Sequence, residues 1–139
     1  MNTLVRSTAV GFVFLFLIGA TAQAQVTGTI TNLVPNGDEY VTGSNVLCKA
    51  WASGSGAAFI KLELTITGPG GYSHGPVSQI IEMSGNWSTE FGVTITTNNV
   101  AGTYTVTAKL YSGASTTGPF TLLDTHDHNF STYVPGGEG

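Results

Sequence analysis

Charge is scarce in this sequence. Lys, Arg, Asp and Glu make up 9% of its 139 residues, against about 25% in ordinary soluble domains. What charge there is leans acidic, four Lys and Arg against eight Asp and Glu. That balance leaves no basic patch for a nucleic acid or an anionic lipid surface, so neither is an expected partner. Cysteine is scarcer still. Cys48 stands alone, so no internal disulfide can form and stability has to come from burial and backbone hydrogen bonding. Helical periodicity is absent as well: apolar residues do not recur at three- and four-residue spacing over several turns. Catalytic motifs are missing too. The chain has no G-x-S-x-G elbow and no Cys/His nucleophile signature. Its Gly-rich stretches, "TGPGG" and "SGSGAA", lack the Lys and the following helix of a phosphate loop. Asp38 and Glu39 lie side by side in a turn-rich stretch, which is not a carboxylate pair held across a cleft. No enzyme activity and no cofactor are expected.

One long apolar run does occur, "AVGFVFLFLIGA" at residues 9–20. It follows Arg6 and precedes "AQA" at 22–24. A positive start, a short apolar stretch and a small-x-small site make a secretory signal peptide, cleaved before Gln25. The run is too short for a comfortable membrane span of about 20 residues. Residues 1–24 are therefore expected to leave, the protein to be secreted or periplasmic, and no membrane association to follow cleavage. Residues 25–132 then fit one domain with one core, and "YVPGGEG" (133–139) reads as a flexible tail.

Strand signals fill the rest. Two-residue alternation is punctuated by Gly, Pro, Asn and Ser. Strands are expected over 26–34, 45–53, 59–68, 77–84, 87–97, 103–111 and 121–132, with 35–44 a turn-rich connection and 68–76 a loop. In "FIKLELTITG" (59–68), Ile60, Leu62, Leu64 and Ile66 share one face while Lys61, Glu63, Thr65 and Thr67 share the other, so one face is core and the other meets water. Val46, Cys48 and Ala50 form another such face, and Trp87, Phe91, Val93 and Ile95 a third. Seven strands in one short domain predict an all-β, seven-stranded antiparallel sandwich. Cys48 is expected to be a buried, unreactive thiol, and Trp87 and Tyr104 to be structural.

"VPNGDEYVTGSNVLCKAWAS", "AAFIKLELTITGPGG" and "NVAGTYTVTAKLYSGA" together resemble the bacterial Ig-like domain family over roughly residues 26–131. Gly102, Tyr104, Val106, Ala108 and Tyr111 sit where that family has a Gly, an aromatic, alternating apolar residues and a Tyr. The chain departs from the pattern at Ser112-Gly113-Ala114-Ser115, where the family often has Asp-x-x-Gly-Asn, and in a last strand that carries "DTHDH" in place of apolar residues. The resemblance implies an Ig-like sandwich with strand order C′-C-F-G in one sheet. It also implies a bacterial, secreted binding or structural module whose partner is an unknown protein or glycan.

Two sets of residues stand out as candidate sites. Asp124, His126 and His128 alternate in "DTHDH", so they share a strand face. Two His and a carboxylate are ligands that Zn²⁺ or Cu²⁺ accepts. His74 is the remaining His, and the implied topology sets it about 10 Å away, two strand spacings. The same segment also fits the polar guard of an unpaired strand edge. The second set is aromatic. Trp51 and Tyr111 fall on the outward phase of their strands, where an aromatic among neutral polar residues can stack on a sugar or anchor a partner protein. They are expected on different sheets, and so not in one patch.

Overall fold

The computed structural model describes residues 25–136. The expected signal segment, residues 1–24, and residues 137–139 of the expected tail lie outside them. Eight strands run in chain order: β1 Thr27–Val34, β2 Glu39–Val41, β3 Asn45–Ser55, β4 Ala58–Thr67, β5 Ser73–Met83, β6 Asn86–Thr96, β7 Gly102–Gly113 and β8 Phe120–Tyr133. One short 3-10 turn, Pro69–Gly71, joins β4 to β5. The small sheet has the order β1-β3-β6 and the large one β2-β8-β7-β4-β5. All described pairings are antiparallel except β2 with β8.

The alternation dictates this two-layer arrangement. Ile60, Leu62, Leu64 and Ile66 of β4, and Tyr104, Val106, Ala108 and Leu110 of β7, are buried. They face Val46, Cys48, Ala50 and Ala52 of β3 across the sandwich. Each strand thus presents every second residue to one shared core. The outward residues of β4 and β7 are Thr, Lys, Glu and Tyr, which suit a solvated pleated face.

The strand count and the purely antiparallel arrangement both need correction. The stretch 35–44 is not all connection. After β1 the chain turns at Pro35-Asn36-Gly37, with Gly37 at a φ of 80° that favours glycine, and re-enters the other sheet as β2. Glu39, Tyr40 and Val41 pair parallel to Ser131, Thr132 and Tyr133. One N-terminal stretch therefore feeds both sheets. The short β2 escapes a sequence reading because three residues carry no period. Ser73–Pro76, expected in a loop, belongs to β5. Gly75 and Pro76 fall where the pairing with β4 slips. Such an irregularity, with a Pro that offers no N–H, is tolerated because β5 is an edge strand. Tyr133 belongs to β8 and not to the tail.

Tyr104 locks one end of the sandwich. It is fully buried, lies parallel to the Phe130 ring at 4.8 Å and meets Tyr72 edge-on at 5.2 Å. Its hydroxyl donates to Asn98 Oδ1 at 3.1 Å and accepts the Asn98 backbone N–H at 2.9 Å. A Tyr at the start of the penultimate strand, bonded to backbone a few residues upstream, is the tyrosine corner of Ig-like sandwiches. Asn98 also donates from Nδ2 to Pro69 O, so the corner ties the β6–β7 turn to the 3-10 turn. Gly68 has no side chain there because a Cβ would come within 2.5 Å of the Tyr104 ring.

Candidate functional site

Asp124, His126 and His128 do share a face, and that face points inward. Their partners on β7 are Leu110, Ala108 and Val106, all buried. The three polar side chains lie where β8 passes the free edge of β1. There Asp124 Oδ2 accepts the Ile30 N–H at 2.7 Å and the Thr29 hydroxyl at 3.0 Å, while Oδ1 accepts the Thr125 N–H at 2.9 Å. His128 donates from Nδ1 to Leu33 O at 2.7 Å, which fixes the tautomer with the proton on Nδ1. His126 Nε2 stands 3.4 Å from Asp124 Oδ2 and is exposed. Burial works against ionisation of Asp124. The hydrogen bonds from Ile30, Thr29 and Thr125, with His126 adding to them, outweigh it and hold the carboxyl below the usual carboxylate range.

The segment is therefore an inter-sheet strap. Backbone groups of β1 that point away from β3 would otherwise lack partners, and β8 side chains supply them. The strap ends at a bulge: Leu123 is the extra residue between the pairs Leu110–Asp124 and Tyr111–Leu122. Asp124, His126 and His128 keep the inward phase of Phe130, and the inserted Leu123 turns Leu122 to the outer face beyond them.

His74 does not join them. It pairs with Ile66, Ile66 with Val106, and Val106 with His128. The two His thus mark opposite ends of one inward row, about 14 Å apart across three strand steps and not two, with Ile66 and Val106 fully buried between them. Among the described residues, no three His, Cys, Asp or Glu side chains converge to hold a metal ion.

Trp51 and Tyr111 stand on opposite outer faces. Trp51, on β3, is the middle of the cross-strand row Asn32–Trp51–Glu90 that spans the small sheet. Lys49 Nζ lies 4.9 Å from the centre of its ring and 3.2 Å from Glu90 Oε1. Beside the ring is an open depression of about 310 Å³, bordered by Thr31, Ser53, Ser88 and Glu90. A second, of about 520 Å³, shares Ser53 and continues past Thr27, Thr29, Ser55 and Asn86. Thr31 reaches this border because β1 bulges between Ile30 and Asn32.

Tyr111, on β7, sits in a different row, Ile80–Lys61–Tyr111–Leu122, across the large sheet. Lys61 Nζ lies 5.3 Å from the centre of the Tyr111 ring and 5.0 Å from that of Phe120, and the Tyr111 hydroxyl donates to Glu63. Burial first, and the Glu63 charge and hydrogen bond after it, raise the Tyr111 hydroxyl above its ordinary value. Leu122 is 50% exposed. Glu90, Ser53, Ser88, Lys61 and Phe120 went unmarked in the sequence because only strand pairing brings them beside the two aromatics.

Cys48 and Trp87 lie in the core. Burial pushes the Cys48 thiol up to about 11, leaving almost no thiolate at neutral pH.

No family model matches this chain, and no curated protein matches it either. Solved structures similar to it include the CARDB domain of a Pyrococcus furiosus protein, in complex with di-metal ions. That domain is 11% identical, with a TM-score of 0.47, over 81% of this chain and 90% of the other. Bacteroides uniformis β-glucuronidase 2 is 15% identical with a TM-score of 0.46, over 78% of this chain but 13% of the enzyme. The PapD-like domain 7 of human CEP192 is 13% identical with a TM-score of 0.37, over 81% and 86%. Identities this low say nothing of ligand or activity.

Proposed function

We propose that this chain is a secreted or periplasmic, non-enzymatic Ig-like module that binds its partner with the outer face of the small sheet. The observation that carries this reading is Trp51, partly exposed on that face and bordering a depression lined with hydroxyls and one carboxylate. A large aromatic that only filled space would sit in the core, as Trp87 does. Asp124 and His128 of the last strand are committed to holding β1, which supports a scaffold role for them and leaves recognition to the faces.

The test is binding of exported protein to bacterial cell-wall and cell-surface preparations, comparing wild type with Trp51→Ala and Tyr111→Ala. The expected outcome is retention by wild type and by Tyr111→Ala, and loss with Trp51→Ala at an unchanged unfolding midpoint. Retention of Trp51→Ala together with loss of Tyr111→Ala would move the site to the large sheet and overturn this assignment, as would no retention of wild type at all.

A further inference from the structure

We infer that the groove running from Trp51 along β3 is a subsite for an uncharged, linear saccharide; this rests on the binding-module reading above. The chemistry of the groove selects the ligand. Lys49 occupies one side of the indole but is not part of the depression's border, so the ring stands as a wall with its remaining side toward the depression. An aromatic wall suits the C–H face of a sugar ring. The other borders are polar: the hydroxyls of Thr31, Ser53 and Ser88, and the Glu90 carboxylate. A carboxylate accepts two hydrogen bonds at once and hydroxyls both give and accept, which is the complement of vicinal sugar hydroxyls. A peptide anchor would instead demand a deep apolar pocket, and among these side chains only Trp51 is a large apolar group.

Charge narrows the class further. Glu90 is matched by Lys49 at 3.2 Å, so the wall and floor have no net charge to attract an anionic or a cationic sugar. Shape extends it. The second depression meets the first at Ser53 and runs toward Ser55, Thr27 and Asn86. Trp51 to Ser55 spans about 13 Å along a strand. Gly28 and Gly54 also border this second depression, and on their core side a Cβ would strike the Trp87 ring. A chain of linked sugars fits such a track, with one ring against Trp51 and the next over Ser53.

The experiment is NMR titration of the full mature chain with neutral oligosaccharides: cello-, xylo-, manno- and chito-oligomers of one to five units. The indole N–H resonance of Trp51 is the reporter, and the backbone N–H of Asp127, on the other sheet, is the internal control. The expected result is a shift of the Trp51 signal by at least one series, with affinity rising from one unit to three. Trp51→Ala is expected to weaken binding about thirty-fold or more and Glu90→Gln about ten-fold, while Asp127→Asn, on the other sheet, leaves it unchanged. If no oligomer moves the Trp51 signal at millimolar concentration, the saccharide assignment falls. If cell-surface retention still depends on Trp51 in that case, the binding-module reading survives with a ligand that is not a neutral sugar. If retention fails too, both fall.

Discussion

At the scale of single residues, Tyr104 carries the most structure per atom. Its ring is sandwiched by Phe130, Tyr72 and the bare backbone of Gly68, and its hydroxyl satisfies the Asn98 N–H. These two contributions can be separated. Tyr104→Phe keeps the ring and strands one backbone donor, which is expected to cost about 1–3 kcal/mol. Tyr104→Ala empties the site and is expected to cost about 3–5 kcal/mol. Urea unfolding of both variants checks this; no loss in Tyr104→Phe would mean that the hydroxyl contributes nothing and the corner is only packing. The inward phase of Tyr104 was legible from the alternation Tyr104, Val106, Ala108, Leu110. Its partner was not, because Asn98 lies in a turn whose conformation no period encodes.

At the scale of elements, β8 shows where local pattern stops. That Asp124, His126 and His128 share a face follows from two-residue spacing alone. Whether that face meets metal, water or another strand depends on the register with β7 and on the approach of β1, both set by pairing between residues far apart in the chain. The outcome is a strap, and it behaves differently from either a metal site or a guarded edge. His128 bonds Leu33 O and His126 bonds no backbone. His128→Ala is therefore expected to cost about 0.5–1.5 kcal/mol and His126→Ala within about 0.5 kcal/mol. Asp124→Ala leaves the Ile30 N–H unpaired and is expected to cost about 1–3 kcal/mol. The carboxyl of Asp124 is held below its ordinary value of 3.8. Its stabilisation is thus complete above the unfolded-state value and is lost as pH falls through the lower folded-state value. Wild type should shed this contribution below about pH 4, and Asp124→Ala should lack that part of the acid decline. Chemical denaturation from pH 7 to pH 2.5, with Zn²⁺ and Cu²⁺ added at pH 7, reads all of this. A metal-dependent gain in stability that both His changes abolish equally would replace the strap with a metal site.

At the scale of the whole molecule, the two sheets are closed by their first strand. β1 contributes Ile30 and Leu33 to the core and pairs with β3 on one side. On the other it is held by Asp124 and His128 of the last strand. The sandwich was legible in outline because most strands alternate cleanly. The split of the N-terminal stretch between both sheets was not, because β2 is three residues long and its parallel partner lies at the far end of the chain. The first strand begins at Thr27, two residues after the proposed cleavage site, so removal of residues 1–24 should cost the described core nothing. A chain starting at Gln25 is expected to unfold in one cooperative urea transition, and mass spectrometry of exported protein is expected to find Gln25 first. A chain starting at Pro35 loses Ile30, Leu33 and the donors that Asp124 was built to meet. It is expected to show no cooperative transition, since removing those side chains exposes the core along β7 and β8 and takes away the partners of Asp124. Equal cooperativity in the two chains would mean that β1 is an ornament on a sandwich that closes without it.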